Sequence, residues 1–127
     1  MSTFHEGSWI GVDLDGTLAH YDRWVGITHI GEPIPAMLER VKEWRKAGTG
    51  VRIFTARVGP GQPPGFVFLA KEAIENWCIK HLGERLPITA EKDLKMFQLW
   101  DDRCVCVKRN SGEILGANEE PDTGEDS

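Results

Sequence analysis

The sequence predicts a parallel α/β fold, a three-layer sheet with helices on both faces. Three observations carry that expectation. Short, mostly apolar runs at 8–12 and 51–54 read as buried strands. Segments with helical spacing of apolar residues follow each run, bounded by proline and glycine. Turn-rich stretches divide the rest, so the order reads strand, flap, helix, strand, helix, strand, strand.

Residues 8–12 are apolar enough for a central strand of a parallel sheet. Residues 19–33 mix Gly26, Gly31 and Pro33 with Trp24, Val25 and Ile27, which predicts an irregular flap with at most a small hairpin. Pro35 suits the first position of a helix. Met37, Leu38, Val41 and Trp44 give that helix an apolar face, and Gly48 ends it. Residues 51–54 form the second strand, and the three prolines and three glycines of 58–65 mark a loop. A second helix is expected over 66–82, with Leu69, Ala73 and Trp77 inward and Gly83 as its stop. A short strand at 86–89, a helical turn at 91–95 and strands at 97–100 and 104–107 complete the pattern. Asn110, Ser111 and Gly112 make a turn into Ile114 and Leu115.

At 127 residues the chain is one domain by length, expected over 1–116. Five acids (Glu119, Glu120, Asp122, Glu125, Asp126) fall in the last nine residues, so 117–127 reads as an acidic, disordered tail. That leaves 15 basic and 15 acidic residues in the body. Such a neutral body does not advertise nucleic-acid binding, though a local basic groove stays open. No apolar run approaches the ~20 residues that span a bilayer. The start has neither the basic nor the apolar region of an export signal, so the expected location is cytoplasmic. Three cysteines in such a chain argue against a disulfide framework. Cys104 and Cys106 alternate with valines and are expected to be small buried strand residues.

The chemistry sits at the strand ends. Asp13 and Asp15 follow the first strand one residue apart, and Gly16 lets the backbone turn there. Like charges that close need a cation or a shared proton. Ligands of parallel sheets bind beyond the carboxyl ends of the strands. Asp13, Asp15, Thr55, Asp101 and Asp102 all stand at such ends, with Lys92 in a loop at the same level. Acids, a hydroxyl and a cation converging on one edge suggest a metal-assisted site for phosphate.

In order, Asp13-Leu14-Asp15-Gly16-Thr17-Leu18, Ile53-Phe54-Thr55, Lys92 and Asp101-Asp102 resemble the four motifs of the haloacid dehalogenase superfamily of phosphatases and phosphotransferases. The likeness spans roughly residues 8–103. It implies a Rossmann-like fold and a Mg²⁺-dependent phosphomonoesterase working through an aspartyl-phosphate. Asp13 would be the nucleophile, and Asp15 the general acid and then base. Thr55 and Lys92 would bind the phosphoryl oxygens. Metal ligands would come from Asp13, Asp15 (through its main-chain carbonyl), Asp101 and Asp102, the last as direct or outer ligand. Arg57 and Arg103 are candidates for clamping phosphate, or for pairing locally with acids. Thr55-Ala56-Arg57 and Asp101-Asp102-Arg103 are also similar to polynucleotide 3′-phosphatases of the superfamily, which makes a nucleic-acid end one candidate substrate. A receiver domain also uses an aspartyl-phosphate with Thr and Lys, but in a different order. A catalytically silent phosphate-binding or partner-binding module on the same fold is the alternative from another class.

In this superfamily a cap domain inserted after the first or second motif often sets specificity. Only 39 residues separate Asp15 from Thr55 and 36 separate Thr55 from Lys92, which leaves no room for a sizeable cap. An open site is therefore expected. It suits a large substrate, or a small phosphorylated metabolite covered by a second subunit. His20, His29 and Trp24 lie in the flap, where they could meet substrate or simply face solvent.

Overall fold

Strand β1 (Trp9–Asp13) is buried along its length until Asp13 and pairs on both sides. The structure, a computed structural model, describes residues 6–116, so the expected acidic tail lies outside the described residues. β2 (Gly50–Phe54) flanks β1, β3 (Ile88–Thr89) flanks β2, and β4 (Met96–Trp100) lies on the far side of β1. All pairs are parallel and the order is β3-β2-β1-β4. The α/β class and the parallel, Rossmann-like sheet read from the sequence are those of the molecule.

The register fixes where the strands end. Asp13 pairs with Phe54, Phe54 with Thr89, and Val12 with Trp100. Asp101, one residue beyond Trp100, is thus level with Asp13, and Thr55 stands one residue further along β2. The Thr55 N–H donates to the Thr89 carbonyl at 2.8 Å, which holds that residue in line with β3.

Helix α1 (Pro35–Lys46) opens on proline and is followed by Gly48. Helix α2 (Pro64–Leu82) ends on a left-handed Gly83 whose N–H reaches the carbonyls of Cys78 and Ile79. Alternate strand residues Ile10, Val12, Val51 and Ile53 form one core with Met37 and Val41 of α1 and Ile74, Trp77 and Cys78 of α2. Both helices therefore cover the same face, and the expectation of helices on both faces is corrected. The chain steps from β1 to β2 to β3 in one direction, and right-handed crossovers in one direction place their helices on one side.

The other face is crossed by the connection 90–95. Asp93 accepts hydrogen bonds from Trp9 Nε1 at 2.9 Å and from the Lys95 N–H at 2.8 Å. The Arg52 guanidinium lies 4.4 Å from the Trp9 ring centroid. Trp9 is thereby buried without a helix above it.

Several local expectations are also corrected. The flap is irregular, as expected, and the small hairpin it allowed is reduced to one antiparallel bridge, Ala19 with Pro33, at its base. The His20 N–H donates to the Glu32 carbonyl at 2.8 Å, and Trp77 Nε1 to the Gly31 carbonyl at 2.9 Å. The loop after β2 contains a short 3₁₀ turn (Ala56–Val58), and α2 begins two residues earlier than expected. Its inward residues are Ala70, Ile74, Trp77 and Cys78, while Leu69 is exposed. A plain turn at 94–95 replaces the helical turn. Residues 104–107 form no strand. Cys104 and Cys106 are exposed free thiols, and only Val107 makes a bridge, with Ile114. Among the described residues no helix is long and apolar enough to cross a membrane.

Candidate active site

The loop that leaves β1 is anchored by two leucines. Leu14 and Leu18 are fully buried in the core, so the chain between them must fold back. The N–H groups of Thr17, Leu18 and Ala19 all reach the Leu14 carbonyl, at 3.3, 3.0 and 2.8 Å. Gly16 makes the reversal with φ of +90°, where a side chain is strained. A Cβ there would also come within 2.6 Å of Asp102 Oδ2. Glycine thus serves both the turn and the close approach of the Asp102 carboxylate.

This loop sends its two carboxylates to different partners. Asp13 faces Asp101 and Asp102, and one oxygen from each of the three lies within 4.8 Å of the others. Burial first, then Asp101 and Asp102, push Asp13 up to about 7, against the opposing hydrogen bond from Thr17. Asp15 turns instead to Arg57. Nε and Nη2 of Arg57 grip the two Asp15 oxygens at 2.8 and 2.9 Å. The expected mutual repulsion of Asp13 and Asp15 is therefore not what strains this site; the strain is between Asp13 and the pair after β4. The Asp15 carboxylate lies outside the converging group, which leaves its main-chain carbonyl as the atom expected to face a metal.

Thr17, which the sequence does not mark as a site residue, organises the acid cluster. Its hydroxyl lies 3.2 Å from Asp13 Oδ2 and 3.1 Å from Asp102 Oδ1, and accepts from the Asp102 N–H at 2.9 Å. Thr17 is buried and spends its hydroxyl on these local partners. Asp101 is steadied by the Arg103 N–H, which donates to its Oδ1 at 2.8 Å.

Thr55 is buried at the end of β2, and its hydroxyl oxygen accepts the Arg57 N–H at 3.1 Å. The hydroxyl proton remains to be donated into the cleft. Arg57 is 4% exposed. Besides holding Asp15, its Nη1 donates to the flap carbonyls of Gly26 and Ile27 at 3.2 and 3.0 Å. Trp24 stacks over it with a centroid distance of 4.9 Å. The candidate phosphate clamp is thus committed to an acid and the flap, and local pairing is the alternative that the structure displays.

These side chains line a cleft of about 480 Å³ bounded by Asp13, Asp15, Thr55, Asp101, Asp102 and Arg103. Lys92 is not in it. It is exposed and lines a neighbouring groove of about 600 Å³ along β4, which shares Asp101 with the cleft. The connection 90–95 dives across the far sheet face to satisfy Trp9, and carries Lys92 with it. Among the described residues, Arg103 lines the acid cleft together with the Asp15-bound Arg57.

No protein-family model matches the chain, and no curated protein matches it. A solved structure described as the conserved protein coded by a locus from Bacteroides thetaiotaomicron is similar, with 24% sequence identity and a TM-score of 0.52. The likeness covers 91% of this chain and 82% of that one. At that identity it extends to the α/β fold and not to the chemistry of the cleft.

Proposed function

We propose that the chain is a Mg²⁺-dependent phosphomonoesterase that works through a phosphorylated Asp13. The observation that carries this reading is the convergence of Asp13, Asp101 and Asp102 within 4.8 Å at the carboxyl edge of a parallel sheet. Three carboxylates so placed, one pushed up to about 7, are suited to a cation. The donor set, all oxygen, fits magnesium, which also takes waters and phosphate oxygens. Bound there, the ion would neutralise and align the phosphoryl oxygens.

The residues divide the work as follows. Asp13 attacks phosphorus and forms an acyl phosphate. Asp15, oriented by the Arg57 fork, relays a proton from solvent to the departing oxygen. Each Asp15 oxygen keeps a second lone pair for that exchange. Water then attacks the phosphorus with Asp15 as base, which frees phosphate and restores Asp13. Thr55 donates its hydroxyl proton to a phosphoryl oxygen, and Arg103 adds positive charge at the mouth. A cytoplasmic setting, where the free cysteines stay reduced, belongs to this reading.

Turnover of p-nitrophenyl phosphate tests it. The expected result is hydrolysis that requires Mg²⁺ and falls at least about a thousandfold in Asp13→Asn. Mg²⁺ binding without turnover across a broad phosphate panel would favour a silent binding module instead.

A further inference from the structure

A second cavity of about 310 Å³ lies on the other side of Asp15. It shares only Asp15, Tyr21 and Arg57 with the acid cleft, and its remaining wall is flap, including His20, Asp22, Arg23 and His29. None of the three converging acids lines it. Asp15 therefore stands on the boundary between the two spaces, fixed there by Arg57.

Resting on the phosphatase reading above, we propose that this flap pocket seats the leaving group, and that the leaving group is a compact polyhydroxylated alcohol of sugar type. In phosphoryl transfer the attacking and leaving oxygens are roughly in line across phosphorus. With Asp13 attacking from the acid cleft and Asp15 protonating the departing oxygen, the body of the alcohol lies beyond Asp15. That is where the pocket opens.

The pocket wall decides the chemistry. His20 Nε2 and Asp22 Oδ1 lie 3.1 Å apart, with both side chains largely exposed to the pocket and solvent. With His29, Arg23 and the Tyr21 hydroxyl they offer mixed donors and acceptors rather than one sign of charge. Neighbouring hydroxyls, each both donor and acceptor, match a wall on which the acids Asp15 and Asp22 alternate with Arg23, Arg57 and two histidines. The volume sits at the small end of ligand sites, which suits a single sugar better than a nucleotide chain.

Steady-state kinetics on a sugar monophosphate, p-nitrophenyl phosphate and an oligonucleotide bearing a 3′-phosphate test this. The wild type is expected to prefer the sugar phosphate. In His29→Ala and in Asp22→Ala the ratio of kcat/KM for sugar phosphate over p-nitrophenyl phosphate should fall about tenfold, chiefly through KM. An unchanged ratio in both variants overturns the proposal, as does a preference for the oligonucleotide. Turnover of p-nitrophenyl phosphate with the wrong preference rejects this proposal alone. No turnover of any of the three substrates rejects the phosphatase reading and this one with it.

Discussion

Asp13 and Thr17 show how much of the site is settled by single side chains. Asp13 is pushed up to about 7, above its ordinary value near 3.8, by burial and then by Asp101 and Asp102. Its folded value exceeds its unfolded one, so ionising it costs stability. The contribution is intact below about pH 4 and is lost as pH rises through about 7. The metal-free chain should therefore lose Tm between pH 5 and about 8, and Asp13→Asn should flatten that loss. Mg²⁺ should raise Tm more at the upper end than at the lower. A Tm profile identical in wild type and Asp13→Asn would contradict this. Thr17 makes a second case. Thr17→Val keeps the shape but leaves the Asp102 N–H without its acceptor. Mg²⁺ affinity by calorimetry should weaken about tenfold, the worth of one or two hydrogen bonds. The acids and Thr55 were legible because strand ends are legible. Thr17 was not, because its role depends on Asp102, 85 residues away.

At the scale of elements, the flap and the 3₁₀ turn after β2 are joined through Arg57. One buried guanidinium holds the Asp15 carboxylate and two flap carbonyls. Arg57→Ala leaves Asp15 without its cation and the flap without its tie. Urea denaturation should show a loss of about 3 kcal/mol, as for other broken buried pairs. Activity should fall further on an alkyl phosphate than on p-nitrophenyl phosphate, whose leaving group scarcely needs a general acid. An equal loss on both would reduce Arg57 to a structural role. The sequence showed Arg57 near phosphate chemistry but not its partners, since Asp15 and Gly26 approach it only through the fold. The face of α2 was illegible for a different reason. Phe66, Phe68 and Leu69 are apolar yet exposed, so the helix carries apolar residues nearly all round and no stripe selects a face. Residues 104–107 alternate like a strand, but no neighbour pairs with them along their length.

For the whole molecule, the parallel order β3-β2-β1-β4 explains why residues from three separate strands share one edge. That part was readable from apolar runs followed by polar residues. The layering was not, because it depends on the direction in which the chain crosses the sheet. Nor was the place of Lys92, which follows the connection that covers Trp9 on the far face. With Lys92 along β4, the cations lining the cleft among the described residues are Arg103 and the Asp15-bound Arg57. The central claim is that Asp13 itself receives the phosphoryl group. Rapid acid quench during turnover of a ³²P-labelled phosphate ester, followed by peptide mapping under acidic conditions, tests it. Hydroxylamine-labile label is expected on the peptide containing Asp13, and none in Asp13→Asn. Label on another residue, or turnover of Asp13→Asn with label retained, would contradict it.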